Sequence, residues 1–341
     1  MKIFVTGSSG FIGGYLVENL LKDGHYVVGI DNYSKYGKIE KSYDRNKKYS
    51  LTEGDVKNTK LLKELIKDCD YIVAAAAKIG GITYFHEFAY DLLAENERII
   101  ASTFDAAIDA FKKNKLKKII VISSSMIFES TDIFPTPETA ILKSPPPKST
   151  YGFQKLACEY FAKGAFEQYG LPYTIVRPFN CVGIGESKAL AGKTVKSGNV
   201  KLAFGHVVPD LVQKSLKGQY PLRILGNGKQ IRHYTYGGDV AEGIKKAIFS
   251  PRAKNEDFNI STNESTTVLK LVKLIWEKTN SKKPFNFISD KPFKYDVQKR
   301  IPDTTKAKNL LGFEAKTSLE QMLDEVIPWI KKQIALKKIK S

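Results

Sequence analysis

The opening stretch KIFVTGSSGFIGGYL constrains this chain more than any other segment. A short apolar run, Ile3-Phe4-Val5, meets three glycines spaced three apart, Gly7, Gly10 and Gly13. An amphipathic run through Leu16, Leu20 and Leu21 follows. The pattern reads as strand, tight turn and helix.

Apolar runs alternate with helical patterns along the next 170 or so positions. Strands are expected at Lys2–Val5, Tyr26–Ile30, Tyr49–Glu53, Tyr71–Ala75, Lys118–Ser123, Tyr173–Val176 and Phe258–Ile260. Helices are expected at Phe11–Lys22, Thr59–Lys67, Glu87–Lys113 and Phe153–Tyr169. This alternation implies a parallel sheet covered on both faces, and continuous apolar strands are what double coverage requires. The fold class is therefore α/β, a Rossmann-type doubly wound parallel sheet with a smaller α/β portion. After Arg177 the texture becomes rich in Gly, Pro and Lys, with helices expected at Val207–Leu216, Thr267–Thr279 and Ser318–Lys338 and a strand at Leu222–Leu225. The expected division is 1–178 with 237–262 returning to it, and a second portion from 179–236 and 263–341.

The formal net charge of +18 comes from scattered lysines and a basic C-terminal segment. Such a surface attracts phosphate-bearing ligands. No aromatic-basic RNA signature or zinc-finger spacing accompanies it, so nucleic acid is not expected as a partner. The three cysteines, Cys69, Cys158 and Cys181, are too far apart for a metal-ligand motif or a disulfide framework, so no metal is expected. The N-terminal apolar run breaks at Gly7 and no run spans a bilayer, which sets the expectation of a cytoplasmic protein without a membrane segment.

Glycine adopts backbone angles costly for other residues, and its missing side chain lets a pyrophosphate approach a helix N-terminus. The next strand ends at Asp31. A carboxylate there accepts hydrogen bonds from an adenosine ribose and repels a 2′-phosphate, which favours NAD over NADP. Asp55, in EGDV, is placed to meet the adenine amino group. Further on, STYGFQK sets Tyr151 and Lys155 four apart, on one helix face. A free phenol ionises near pH ~10. A neighbouring ammonium and a positive nicotinamide ring stabilise the phenolate, which suits a tyrosine to general acid/base work. The serines of VISSSMIF close the expected fifth strand, at the strand end where ligands of such sheets bind.

With these motifs the chain resembles the extended short-chain dehydrogenase/reductases, in particular the NAD-dependent nucleotide-sugar epimerases and dehydratases. The likeness also runs through AAAAK, RPFNCVG, GNGKQIRHYTYGGDV and RIPDTTKAKNLLGF. It implies a catalytic set of Ser124, Tyr151 and Lys155. It implies an NAD site formed by Gly7, Gly10, Phe11, Ile12, Gly13, Asp31, Asn32, Asp55, Val56, Ala76, Ala77, Lys78, Asn96, Ser123, Tyr151, Lys155 and Phe179. Ser125, Asn180, His206, Arg232 and Arg300 are then the positions facing a nucleotide diphosphate-sugar, the arginines holding its diphosphate. Relatives commonly pair as homodimers through two helices, here Glu87–Lys113 and Phe153–Tyr169.

Within the family the reactions diverge after oxidation at sugar carbon 4. Dehydratases place an Asp-Glu pair where this chain has Ser125 and Met126, and 3,5-epimerising enzymes place a Cys at Met126. Neither side chain here ionises as an acid or base, so the expectation is a 4-epimerase that returns the hydride to the opposite face. UDP is the expected nucleotide. A GDP-sugar 4-dehydrogenase, reductase or epimerase is the alternative, because AAKIGGI and HVVP are similar to GDP-fucose synthase-like enzymes, with a 4,6-dehydratase ranked behind it. A non-catalytic NAD-binding protein is the reading from outside the enzyme class. Two departures from the family pattern stand out: Glu129 occupies a position where Gly is usual, and Ile127-Phe128 stand where Val-Tyr is usual. The sugar pocket is expected around 79–87, 183–208 and 290–300.

Overall fold

Seven parallel strands define the molecule in a computed structural model, which describes residues 1–79, 88–113, 115–186, 206–280, 282–292 and 296–336. They are β1 (Lys2–Thr6), β2 (Tyr26–Asp31), β3 (Tyr49–Glu53), β4 (Tyr71–Ala74), β5 (Lys118–Ile122), β6 (Tyr173–Pro178) and, last in the chain, β11 (Glu256–Ile260). Their spatial order is β11-β6-β5-β4-β1-β2-β3. The order reverses between β1 and β4, which share the register Val5 with Val73 and Thr6 with Ala74. In an open parallel sheet that reversal splays the two following connections apart and leaves a crevice at the carboxyl ends.

Each face of the sheet is buried by its own helices. α1 (Phe11–Lys22) and α6 (Gly237–Phe249) cover one face, with Leu16, Leu20, Val240 and Ile244 meeting Ile3, Val5 and Phe258. α2 (Thr59–Ile66), α3 (Ala89–Lys112) and α4 (Thr150–Tyr169) cover the other, where Leu62, Ile66, Phe104 and Ala162 meet Phe4, Ile72 and Ile119. All five side chains of β5 are buried. Its one charged residue, Lys118, is satisfied by donating to the Ala247 carbonyl at 2.7 Å.

The later segments build a third core. α5 (Val207–Leu216), α7 (Val268–Thr279) and α9 (Leu319–Ala335) pack Leu211, Leu271, Trp276, Leu323 and Ile330 together with Leu222 and Ile224 of β8 (Leu222–Leu225). Short pairings join this part: β7 (Cys181–Val182) with β10 (Thr235–Tyr236), β9 (Ile231–Arg232) with β12 (Thr266–Thr267), and β8 with β13 (Phe287–Asp290). Between them, α8 (Thr305–Leu311) returns to the first sheet face, where Ala307, Leu311 and Phe313 are buried. These residues come from the stretch 263–341 that the sequence assigns to the second portion. Tyr15 of α1 ties the parts together: its hydroxyl accepts from the Ile184 N–H at 2.8 Å, and its ring stands edge-on to Tyr236 at 5.5 Å.

The element boundaries differ from expectation at one place that matters. α4 starts at Thr150 rather than Phe153, because the Ser149 side chain accepts from the Gly152 N–H and closes the first turn. Tyr151 therefore sits inside the helix. Among the described residues no helix is long and apolar enough to cross a membrane.

Candidate active site

The site is assembled at the carboxyl ends of β1, β2, β4 and β5. β1 runs into the glycine turn, where Gly7 has φ +68°. A Cβ on Gly7 would lie 2.9 Å from the Ala76 Cα, so only glycine lets this turn nest against the end of β4. A Cβ on Gly10 would lie 3.0 Å from the Gly7 carbonyl oxygen. Gly10 caps α1 without any side-chain hydrogen bond, which leaves the leading N–H groups of the helix to be met by an anion. Phe11 and Ile12 occupy the first turn of that helix.

Asp31 stands at the end of β2. One carboxylate oxygen accepts from the Ser9 N–H at 3.0 Å and the other from the Tyr33 N–H at 2.8 Å. Burial holds this carboxyl above its usual range, and the backbone donors offset only part of the rise. Asp31 thus ties the glycine turn to the loop after β2, with Asn32 exposed beside it. Asp55 accepts from the Lys57 N–H at 2.9 Å just past β3, and Val56 is buried in the second core.

Asn96 is 1% exposed. Its amide accepts from the Lys78 N–H at 2.7 Å and donates to the Lys78 carbonyl at 2.8 Å. It fixes the loop carrying Ala76, Ala77 and Lys78 over the crevice. Thr6 does the same from below, its hydroxyl oxygen accepting from the Ala75 and Ala76 N–H groups at 3.0 Å.

The catalytic candidates converge from β5 and α4. Lys155 is 6% exposed, and its ammonium donates to the Ile122 carbonyl at 2.8 Å. Tyr151, one turn earlier, packs its ring with Met126, Phe88 and Leu92. Ser124 is the residue where β5 gives way to the loop, and its hydroxyl oxygen accepts from the Met126 N–H at 3.2 Å. Ser125 and Met126 are buried immediately after it, so Met126 forms an apolar wall beside the Tyr151 ring.

Three of the expected residues, Ser123, Phe179 and Arg232, engage their side chains within the protein. The Ser123 hydroxyl is buried and donates to Glu159 at 2.6 Å, which fastens α4 to the end of β5. Phe179 is 1% exposed, in a small core with Ile127, Phe128 and Ala140. Arg232 donates to three backbone carbonyls, those of Ile231, Val297 and Gln298, with Asp296 at 3.9 Å.

Asn180 and Arg300 come together across the boundary between the two parts. An Arg300 Nη atom donates to the Asn180 side-chain oxygen at 3.5 Å. Asn180 holds φ at +37°, in the left-handed region that asparagine tolerates better than most side chains. Burial and the nearby Arg232 cation lower the Arg300 guanidinium to about 9, with Glu129 and Tyr151 opposing them. Its Nε is buried with no hydrogen-bond partner among the described residues. A buried arginine with an unspent donor fits an anionic ligand. His206 caps α5, and Glu186 lies against its Nδ1. Burial, Lys35 and Arg300 hold its imidazole well below the usual range, in the neutral form. Of the expected pocket segments 79–87, 183–208 and 290–300, residues 80–87, 187–205 and 293–295 lie outside the described residues.

Sequence reasoning missed the loop after β2. Lys41 projects its ammonium across α1 to within 3.6 Å of where a Cβ on Gly14 would stand and 3.9 Å of the same point on Gly185. The Tyr43 hydroxyl donates to the Ser8 carbonyl at 3.4 Å. The lysines between 35 and 48 were legible as charge, but nothing local shows that a loop folds back over the glycine turn.

A seven-stranded sheet of this order, with a glycine turn at the reversal and a Tyr/Lys helix beside it, defines a dinucleotide-dependent enzyme of the short-chain dehydrogenase/reductase type. The chain belongs to the NAD dependent epimerase/dehydratase family, whose model matches residues 3–261. Its cofactor is NAD, and the residues fit it: an uncapped helix N-terminus, a carboxylate at the end of β2 and a cradle that a Cβ would fill. The chain is 29% identical over 97% of its length to an uncharacterized UDP-glucose epimerase of Bacillus subtilis, covering 98% of that protein. Among solved structures it matches a UDP-glucose 4-epimerase of Thermotoga maritima with UDP-glucose, at 30% identity and a TM-score of 0.80, covering 98% of this chain and 100% of that one. It also matches a UDP-glucuronic acid 4-epimerase of Bacillus cereus in complex with UDP-glucuronic acid and NAD, at 26% identity and a TM-score of 0.80, covering 97% and 99%.

Proposed function

We propose that this protein is an NAD-dependent 4-epimerase of a UDP-sugar. The observation that carries the reading is the joint placement of Tyr151, Lys155 and Ser124 at the carboxyl end of β5, with Lys155 pinned to the Ile122 carbonyl. Bound NAD supplies the acceptor and donor of hydride at the sugar carbon. Tyr151, as phenolate, takes the proton from the hydroxyl on carbon 4 and returns it when the carbonyl is reduced from the other face. Lys155 holds positive charge beside that phenolate, and Ser124 donates to the same sugar oxygen. Asn180 and Arg300 hold the diphosphate, Arg300 through its unpartnered Nε. Ser125 and Met126 carry no carboxyl, so elimination of water across carbons 5 and 6 lacks both its acid and its base. The relatives that act on UDP-glucose and UDP-glucuronic acid support UDP as the nucleotide.

Incubation with a panel of UDP- and GDP-sugars, followed by NMR of the products, is expected to show one UDP-sugar interconverting with its 4-epimer without net NADH. Conversion of GDP-sugars alone would replace UDP with GDP as the nucleotide, and stoichiometric NADH would replace the epimerase with a dehydrogenase.

The proposal includes a homodimer through the outer faces of α3 and α4. Phe153 and Tyr160, 49% and 65% exposed, lie one heptad apart on one face of α4, and Tyr90 at the start of α3 is 70% exposed. Apolar side chains on one helix face support a protein partner. Light scattering is expected to give twice the 38.2 kDa of the chain, and a Phe153→Glu/Tyr160→Glu variant is expected to give one chain mass; an unaltered mass would remove α4 from the interface.

A further inference from the structure

Glu129 ends the short turn Ser125–Phe128 that follows β5. Both of its carboxylate oxygens are taken by one residue on another element. The first accepts from the Ser149 N–H and the second from the Ser149 hydroxyl, the latter at 2.8 Å. The same hydroxyl oxygen accepts from the Gly152 N–H at 3.0 Å, closing the first turn of α4. A hydroxyl that donates to a carboxylate is a stronger acceptor for the N–H it caps, so the two bonds reinforce each other. The negative charge also lies at a helix N-terminus, where the helix field favours it.

A second contact presses the same two segments together. A Cβ on Gly152 would stand 2.7 Å from the Met126 carbonyl oxygen and 2.7 Å from the Pro147 Cβ. The turn bearing Tyr151 is therefore held to the loop bearing Ser124 at two points, Gly152 on Met126 and Ser149 on Glu129. Beyond the helix, Arg300 feels the charge of Glu129.

We propose that Glu129 is a positioning residue: by gripping Ser149 it locks the first turn of α4, and with it the Tyr151 hydroxyl, against the loop that carries Ser124. The catalytic part of this inference rests on the epimerase reading above. It gives a role to a carboxylate at a position where the resembled family usually has glycine.

The test compares Glu129→Ala, Glu129→Gln and Ser149→Ala with the wild-type chain. Misplacement by about 1 Å can cost about 10²-fold in rate, so Glu129→Ala is expected to lower kcat by roughly 10- to 100-fold. KM is expected to hold or fall, because an anion near Arg300 has been removed. A generally loosened site would raise KM instead. Glu129→Gln keeps one acceptor oxygen and is expected to recover most of the rate. Glu129→Ala/Ser149→Ala is expected to be no slower than Ser149→Ala alone, since the first residue acts through the second. Amide exchange at Gly152 and Phe153 is expected to quicken by about tenfold or more in Glu129→Ala. Unchanged kcat in Glu129→Ala, or unchanged exchange in that turn, would overturn the proposal. A wild-type chain that converts no UDP-sugar would instead overturn the epimerase reading, and the exchange rates would still decide whether Glu129 holds the turn.

Discussion

Tyr151→Phe is expected to reduce turnover by about 10²- to 10⁴-fold, the usual contribution of a positioned general acid/base. The substitution removes one oxygen and keeps the ring. That ring is packed with Phe88, Leu92 and Met126, and its 6% exposure means the fold sees almost the same surface in the variant. Lys155 keeps its anchor on the Ile122 carbonyl, and the glycine turn and Asp31 are untouched. Melting temperature and NAD affinity are therefore expected to match the wild-type chain while the rate collapses. The split is informative because uniform damage to the site would move all three together. KM is expected to change little, since the groups proposed to hold the diphosphate, Asn180 and Arg300, lie on other elements. A Tyr151→Phe protein that interconverts the sugar within about threefold of the wild-type rate would remove Tyr151 from the chemistry, whatever its place in the cleft.

The parts of this enzyme that were legible in the sequence share a physical property: their signals are local. The glycine spacing requires a strand–turn–helix because Gly7 takes a backbone angle that side chains avoid and meets Ala76 too closely for a Cβ. Asp31 ends an apolar strand, and Tyr151 and Lys155 are one helical turn apart, so their neighbourhood follows from spacing alone. What could not be read depends on distant partners. Ser123 looks like any strand-end serine until Glu159 is found 2.6 Å from its hydroxyl. Arg232 reads as a free cation until the 297–298 carbonyls fold against it. Glu129 reads as a loop residue until Ser149, twenty positions on, is placed in its grip. The paired two-residue strands of the second part carry too few residues to show a period. The extra residues of α4 at its start were hidden because the capping Ser149 follows three prolines, a pattern that equally suits a loop.

The same helix depends on a buried charge cluster, and Arg177→Met is expected to destabilise the protein by about 3–5 kcal/mol, the usual cost of leaving one member of a buried ion pair alone. Arg177 lies on β6 and is fully buried. Its Nε and one Nη donate to the two oxygens of Glu159 at 2.8 Å, and the same Nη lies 2.7 Å from Asp257 of β11. Asp257 also pairs with Lys306 of α8 at 2.6 Å. The guanidinium therefore links α4, β6 and β11, and through Asp257 reaches α8, while its face lies 5.2 Å from the Phe128 ring. Methionine fills much of the volume but leaves the Glu159 carboxylate buried without its cation, the Ser123 hydroxyl still donating to it, so the loss is electrostatic before it is steric. Burial alone would push the Asp257 carboxyl up, but Arg177 and Lys306 hold it below the usual range. A carboxyl lowered in the folded state adds stability that is present above its unfolded pKa of ~3.9 and is lost as pH falls through the folded value. The gap between wild type and Arg177→Met in urea denaturation is therefore expected to narrow as pH drops below that range. Arg177→Met/Glu159→Leu removes both charges and is expected to recover part of the loss, because no anion is left alone in the core. Arg177→Lys is expected to fall between wild type and Met: an ammonium keeps the charge but cannot present the planar fork that both oxygens of Glu159 receive. Equal stability of all four proteins at neutral pH would mean that apolar packing, and not this cluster, fastens the helix of Tyr151 to the sheet.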